Sequence, residues 1–188
     1  MLNNFKRHFS DIDTREIFSE LERNEDAWKI DTARQRLVKV QRNTESIVLR
    51  GAVIREPGVV IEDVQDAMET KAAPLFPTTL RWLYQTASAL HGIPGRALFA
   101  RLKPQSQVYR HIDLGAYYAR RSRFHLVVQS TLGSPMICGD EELTMREREL
   151  WWFDNKKPHE AHNLSDQPRV HLIFDLEFPA SLAQSIAS

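Results

Sequence analysis

Residues 109–129 read YRHIDLGAYYARRSRFHLVVQ, a stretch with the texture of β-strand that also carries two histidines, an aspartate and several arginines. Burying such ionisable groups without partners costs free energy. Either these side chains face water, or the interior of the protein needs them. The rest of the sequence indicates which of these holds.

The chain changes character at about residue 94, where short β-rich segments separated by turns begin. They read RALFARL, SQVYRHID, RFHLVVQS, PMICG, ELTMRE, ELWWFD and RVHLIFDLEF. Their spacing is typical of a sandwich or jelly roll rather than of βαβ units. The earlier part favours helices, the clearest being TTLRWLYQTASALHG at 78–92, with Gly92 at its end.

These patterns predict a mostly β fold with flanking helices. We expect a double-stranded β-helix core, that is, a jelly-roll, cupin-like core, with the N-terminal helices packed outside it. We expect a single domain over 1–188, in which 1–93 form a helical and β N-terminal part and 94–179 form the core that carries the site.

Composition excludes several functional classes. The 188 residues include 25 basic and 25 acidic ones, a balance that argues against a nucleic-acid or membrane-surface partner. Cys138 is the single cysteine, so no intrachain disulfide can form. That cysteine usage and the lack of a signal-like or spanning apolar run predict a cytoplasmic protein. The oligomeric state is left open.

A set of possible metal ligands lies in the second half of the chain. If VYRHID is a strand, Tyr109, His111 and Asp113 point to one face. The turn-rich stretch FDNKKPHEAHNL supplies His159, directly after Pro158, as a third ligand. Two histidines and one carboxylate form the facial triad of non-haem Fe(II) oxygenases, which leaves positions open for a cosubstrate and dioxygen.

The motif Arg-x-His opens two apolar strands, as Arg123 with His125 and as Arg169 with His171. A 2-oxoacid bound to iron through its keto-acid end needs a cation for any second carboxylate, and arginine binds carboxylates bidentately. Arg169, ten residues after His159, is the expected supplier. Two alternatives are that Arg123 and His125 form an outward polar face and that His171 is a core histidine.

The blocks PQSQVYRHIDLG, RFHLVVQ and WWFDNKKPHEAHNLSDQPRVHLIFDLEFP, within about residues 100–179, resemble the aspartyl/asparaginyl β-hydroxylase family of 2-oxoglutarate- and Fe(II)-dependent oxygenases. They are also similar to the related cis-proline hydroxylases. The resemblance implies His111 and His159 as iron ligands, and Asp113 places the chain nearer the proline hydroxylases. It also implies that Arg169 holds the distal carboxylate of 2-oxoglutarate and that Arg123 and His125 contact its other end or a nearby substrate group.

We therefore expect a dioxygenase that hydroxylates an unactivated C–H bond of a free amino acid or a small amino-acid-derived metabolite. Its expected requirements are Fe(II), 2-oxoglutarate and O2, with ascorbate as reductant in vitro. Arg50, Tyr118 and Trp152 are candidate substrate contacts. The alternatives are a hydroxylase of Asp, Asn or another side chain in a peptide, a non-catalytic metal-binding jelly-roll module, and a cupin-like metalloenzyme that uses no 2-oxoglutarate.

Overall fold

A computed structural model of the chain describes residues 2–30 and 42–179, so the extreme ends of the expected domain lie outside the described residues. In this part β-strand is the most common regular secondary structure. The strands are β1 (Phe5–Phe9), β2 (Thr44–Ala52), β3 (Ala67–Glu69), β4 (Ile93–Leu102), β5 (Ser106–His111), β6 (Arg121–Gln129), β7 (Pro135–Cys138), β8 (Glu141–Thr144), β9 (Leu150–Phe153), β10 (His159–Asn163) and β11 (Arg169–Glu177). The α-helices are α1 (Arg15–Arg23), α2 (Pro77–Ala89) and the single turn α3 (Ala116–Ala119), and short 3₁₀ turns lie at Glu25–Lys29, Ile61–Asp63 and Ala73–Leu75.

The strands form two antiparallel sheets. The larger sheet has seven strands in the order β1-β9-β6-β11-β4-β2-β3, and the smaller has four in the order β5-β10-β7-β8. Some strands, such as β6 and β11, are neighbours in the sheet but distant in sequence. Crossover connections of this kind are typical of a jelly roll. The predicted fold class, a double-stranded β-helix with flanking helices, is confirmed.

The larger sheet separates two environments. On its outer face, Phe124, Leu126, Leu172 and Phe174 pack with apolar residues of α1 and α2. Side chains alternate along a strand, so the Arg-x-His residues of β6 and β11 lie on the inner face, and all of them are buried. The alternative that Arg123 and His125 form a solvated outer face is therefore wrong.

The helix α2 begins at Pro77, one residue before the predicted start, and ends at Ala89 rather than near Gly92. Leu80, Leu83 and Ala87 form its buried side, as the 3.6-residue period predicts. The chain leaves the helix through His91, whose φ of 58° is left-handed, while the Gly92 amide donates to the Ala87 carbonyl at 2.8 Å. The left-handed position that usually takes glycine is thus filled by His91, and the expected cap at Gly92 is one residue too late.

Two strands differ from the sequence-based expectation. Residues Phe5–Phe9, in the expected helical and β N-terminal part, form the edge strand β1, which was not among the expected strands, and pair with β9. The stretch that contains His159, expected as turn, begins the strand β10, which lies between β5 and β7. Its sequence HEAHN lacks the apolar alternation of a strand because two of its three buried side chains, His159 and Asn163, are polar.

None of the helices in the described part of the chain combines the length and the apolar composition that crossing a bilayer requires.

Candidate functional site

The pairing of β10 with β5 brings two distant histidines together. His159 and His111 are cross-strand partners, and the centroids of their imidazole rings lie 4.3 Å apart. His111 is the last residue of β5 and His159 the first of β10. Both rings therefore lie at the same end of the smaller sheet.

The carboxylate of Asp113 joins these rings from just beyond the end of β5. Its backbone amide donates to the Asn155 carbonyl at 3.1 Å, which fixes the loop against the segment before β10. Asp113 Oδ1 lies 3.8 Å from His111 Nε2, and one ligand atom from each of the three residues lies within 4.8 Å of the others. The structure thus brings the predicted triad together, although the strand itself ends before Asp113.

Both imidazoles are oriented as a metal ion requires. His111 Nδ1 lies 2.7 Å from the Tyr109 carbonyl and His159 Nδ1 lies 2.9 Å from the Lys157 carbonyl. A carbonyl only accepts, so each Nδ1 carries the hydrogen and each Nε2 presents a lone pair. Metal-binding histidines in proteins are held in this way. The donor set therefore fits a divalent metal ion with mixed nitrogen and oxygen ligands.

The charges of the triad suit a cation as well. Burial raises the pKa of Asp113, but the Arg123 guanidinium, the nearby histidines and an Asn155 hydrogen bond outweigh burial and lower it overall. Burial lowers the pKa of His159 to about 4, despite the opposing effect of Asp113. At neutral pH the site therefore holds an ionised carboxylate and a neutral His159 imidazole, the protonation states in which these groups bind metals.

Arg169 is a buried cation that has no anionic partner in the described part of the chain. Its guanidinium points into the space between the sheets, where its contact is the Met136 sulfur at 3.9 Å, and its Nε has no hydrogen-bond acceptor among the described residues. Burial lowers its pKa to about 10, so it is still charged at neutral pH. An uncompensated buried charge is costly, so this arrangement is one that an anionic ligand would complete.

His125 and His171 form a buried pair beside Arg169. Their Nδ1 atoms lie 3.1 Å apart, and neither Nε2 has a partner within the described ranges. Burial and the Arg169 charge lower the pKa of both rings well below the usual value, so both are neutral. The shared Nδ1 hydrogen leaves one Nε2–H donor and one Nε2 lone pair facing the interior.

Arg123 is bound by two carboxylates. Its Nε and Nη2 donate to Asp175 at 2.8 and 3.1 Å, and its Nη1 donates to Asp113 Oδ2 at 2.8 Å. The ring of Tyr118 lies 4.8 Å from its guanidinium carbon. Arg123 is thus adjacent to the triad through Asp113, and Tyr118 lies beside it.

The other two candidate substrate contacts lie elsewhere. Arg50 donates to the backbone carbonyls of Gly95, Ala67 and Pro94 and to the Tyr84 hydroxyl, which occupies its guanidinium. Trp152 packs in the apolar core on the helix side of the larger sheet, while its neighbour Phe153 faces the interior. The structure does not bring Arg50 or Trp152 to the triad.

Sequence reasoning missed two residues of the site. Asn155 donates to Asp113 Oδ2 at 3.0 Å from a loop that carries no recognisable motif. Asp175 is the buried partner of Arg123, and its position did carry a signal. It lies an even number of residues after Arg169 on β11, so it shares the inward face, and a carboxylate there requires a cation.

Comparison with known proteins agrees with this geometry. Residues 14–179 match the sequence profile of the family described as aspartyl/asparaginyl beta-hydroxylase. The chain is 26% identical over 146 residues to the L-proline cis-4-hydroxylase of Rhizobium meliloti (strain 1021), a match that covers 76% of this chain and 51% of that protein. The chain thus spans about half the length of this curated relative.

Two solved structures share the fold. One is a prolyl-4-hydroxylase of Pseudomonas putida, with a TM-score of 0.55 and 15% identity over 95% of this chain and 94% of that one. The other is an oxidoreductase of the 2OG-Fe(II) oxygenase family from Burkholderia pseudomallei, with a TM-score of 0.56 and 10% identity over 86% of this chain and 89% of that one. The family match covers nearly all of the described residues and confirms the resemblance noted in the sequence. This chain belongs to the aspartyl/asparaginyl beta-hydroxylase family.

Proposed function

We propose that the protein is an Fe(II)- and 2-oxoglutarate-dependent dioxygenase that hydroxylates an unactivated C–H bond of a free amino acid or a small amino-acid-derived metabolite. The observation that carries this proposal is the buried Arg169 guanidinium, which has no anionic partner among the described residues and lies in the same interior as the triad of His111, Asp113 and His159. A metal site alone does not need such a cation. A dicarboxylic cosubstrate does.

Each residue has a definite part in this proposal. His111 and His159 offer Nε2 lone pairs, because their Nδ1 hydrogens are bound to carbonyls. Asp113 offers Oδ1, because Arg123 and Asn155 occupy Oδ2. Arg169 pairs with the distal carboxylate of 2-oxoglutarate, and one of the two histidines behind it adds an Nε2–H donor.

Iron and 2-oxoglutarate, when bound, supply the chemistry: O2 is reduced while 2-oxoglutarate becomes succinate and CO2, and one oxygen atom enters the substrate as a hydroxyl group. The protein would hold one end of 2-oxoglutarate at the triad and the other at Arg169. It would also exclude water, because Phe153, Met136 and Val127 line the interior near the triad and Arg169. O2 and ascorbate remain expected requirements of the assay.

The proposed substrate class rests on the named relative, an L-proline cis-4-hydroxylase, and on the surroundings of the triad. The Arg123 guanidinium, which donates to Asp113, and the Tyr118 ring beside that guanidinium are polar surroundings that suit a zwitterionic small molecule. We further propose that the described residues form one oxygenase domain, because residues from Ile17 to Phe178 share one apolar core. A cytoplasmic location is consistent with the free, buried thiol of Cys138.

The test is succinate release by the protein loaded with Fe(II) and supplied with ascorbate, 2-oxoglutarate and either free amino acids or short peptides. We expect a free amino acid to stimulate succinate release, with L-proline the first to try. Stimulation by peptides alone would transfer the proposal to a peptide hydroxylase. Metal binding without any decarboxylation would leave a non-catalytic module.

Arg169→Ala separates the cosubstrate assignment from simple metal binding. It should raise the 2-oxoglutarate concentration needed for half-maximal rate on the order of a hundredfold or more, since losing one partner of a buried charge pair costs about 2–5 kcal/mol. The matched control is Arg120→Ala, because Arg120 is exposed and pairs with Glu177 at the surface. Equal behaviour of the two variants would refute the role of Arg169.

A further inference from the structure

Two buried hydroxyl groups on β2 have no hydrogen-bond partner among the described residues. They are Ser46 Oγ and Thr44 Oγ1. Ile47 and Leu49 of the same strand belong to the helix-side core, so Thr44 and Ser46 point to the opposite face, into the space between the sheets. A buried hydroxyl left without a partner costs about 1–3 kcal/mol, so a ligand in that space would gain by accepting from it.

The register of the larger sheet places both hydroxyls in line with the residues around Arg169. Ser46 is the cross-strand partner of Ala100, and Ala100 is the partner of His171. Thr44 is opposite Leu102, which is opposite Arg169. Each hydroxyl is thus two strand spacings from the β11 residue in its row, roughly 9–10 Å at about 4.7–4.9 Å per strand.

The middle residue of each row distinguishes the two hydroxyls. Ala100 carries only a methyl group, so its own side chain does not fill the gap between Ser46 and His171. Leu102 is a fully buried large side chain and fills the corresponding space between Thr44 and Arg169. Of the two hydroxyls, only that of Ser46 therefore faces the gap beside the histidine pair and the guanidinium.

The polar atoms around this gap match one kind of ligand group. Arg169 offers guanidinium N–H groups, the pair of His125 and His171 offers one Nε2–H, and Ser46 offers an O–H. A carboxylate has two oxygens and about four lone pairs, so it can accept from all three residues. Neutral groups with one acceptor would leave most of these donors unsatisfied.

We propose that Ser46 is a cosubstrate-binding residue, which donates its hydroxyl hydrogen to the distal carboxylate of the 2-oxoacid that Arg169 holds. This inference rests on the proposed function, because it takes 2-oxoglutarate as the ligand. It adds a determinant on β2, a strand that precedes the segment 94–179 expected to carry the site. It also makes Ser46 a determinant of selectivity for a dicarboxylic over a monocarboxylic 2-oxoacid.

The test measures binding rather than turnover. The full chain is loaded with Mn(II), and the affinity for 2-oxoglutarate and for 2-oxopentanoate is measured by calorimetry. 2-Oxopentanoate has the same chain length but no distal carboxylate. Ser46→Ala should weaken 2-oxoglutarate binding about 10- to 100-fold, the usual effect of losing a hydrogen bond to a charged group, and should leave 2-oxopentanoate binding unchanged.

Two further variants serve as controls for Ser46→Ala. Thr44→Val, which removes the neighbouring hydroxyl behind Leu102, should leave both affinities unchanged. Ser46→Thr, which keeps a hydroxyl, should restore most of the 2-oxoglutarate affinity. Melting temperatures of the metal-free variants within a few degrees of wild type show that each is folded.

The outcomes separate this inference from the proposed function. If wild type binds 2-oxoglutarate and Arg169→Ala weakens that binding, but Ser46→Ala binds like wild type, the role of Ser46 is refuted and the function stands. If wild type itself does not prefer 2-oxoglutarate to 2-oxopentanoate, the proposed function fails. Equal weakening of both ligands by Ser46→Ala would indicate damage to the metal end and would also refute the role.

Discussion

Asp113 and Arg123 form a buried ion pair, with 2.8 Å between Asp113 Oδ2 and Arg123 Nη1. The Nε of the same guanidinium lies 2.8 Å from Asp175 Oδ1. Because Oδ2 is taken, Oδ1 is the oxygen left to face His111. The pair therefore orients the only carboxylate of the triad, and we expect Arg123 to act on the metal site through Asp113.

The amide of Asn155 should strengthen metal binding without touching the metal. It donates to Asp113 Oδ2 at 3.0 Å, beside Arg123. We expect Asn155→Ala to weaken Mn(II) binding about 10- to 100-fold, the usual effect of losing a group that orients a ligand. Calorimetry checks this, with Asn43→Ala as control because the Asn43 side chain makes a long 3.4 Å bond away from the triad. Unchanged affinity in Asn155→Ala would show that Arg123 alone suffices.

Two histidines of one strand give a direct test of the triad. His159 is buried beside His111, whereas His162 lies on the other face of β10 near Glu160. We expect His159→Ala to lose more metal affinity than the 10- to 100-fold of an orienting group, and to abolish decarboxylation of 2-oxoglutarate. His162→Ala should retain both. Metal content after dialysis and succinate release are the measurements, and loss in His162→Ala with retention in His159→Ala would reverse the assignment.

The neutral histidine pair predicts a dependence of stability on pH. Burial lowers the pKa of His125 and His171 well below its usual value. Below about pH 6.5 the unfolded chain takes up protons on these residues while the folded protein does not. The free energy of unfolding therefore falls as the pH falls. Between pH 7 and pH 5 the free energy of unfolding should fall, by at most about 2 kcal/mol for each histidine, the limit set by protonation of the unfolded chain.

Urea unfolding of the metal-free protein at these two pH values measures the loss. In the double variant His125→Gln/His171→Gln the loss should shrink by the contribution of both residues. The exposed histidine in His91→Asn is a suitable control, since asparagine also tolerates the left-handed backbone there. An identical pH dependence in the double variant and wild type would contradict the assignment of neutral rings.

Substitutions of the two neighbouring aromatic residues of β9 should affect different properties, stability in one case and ligand binding in the other. Trp152 lies in the helix-side core, so Trp152→Phe should lower the free energy of unfolding by part of the about 3–5 kcal/mol that truncation to alanine costs, and should leave 2-oxoglutarate affinity unchanged. The ring of Phe153 lies 5.0 Å from that of His159 and 5.1 Å from that of His125. Phe153→Leu should therefore weaken metal or cosubstrate binding. Thermal melts and calorimetry on both variants distinguish these effects.

Periodicity predicted the parts of the fold in which one face is apolar. On β6 and β11 the alternation of Phe124, Leu126 and Leu172 with charged residues predicted an apolar and a polar face, but it left open whether the polar face was solvated. The structure shows that both faces are buried. The family resemblance then identified which polar residues to examine.

Sequence periodicity did not predict the elements in which polar side chains are buried. The strand β10 consists of HEAHN and pairs on both sides, so its stability comes from neighbouring strands rather than from its own pattern. Asn155 and Ser46 carry no motif, because their roles depend on register and loop position. Pairing across 47 to 58 residues, as between β2 and β4, cannot be predicted from local spacing.

The triad belongs to the smaller sheet and the loop after β5, whereas Arg169, His171 and Ser46 belong to the larger sheet. A molecule held at one end by the first group and at the other by the second would brace the two layers against each other. Occupancy would then slow amide hydrogen exchange in β5 and β10, strands that contribute nothing to the helix-packed core. The jelly roll would thus be least rigid without cosubstrate, and bound cosubstrate would connect the two sheets.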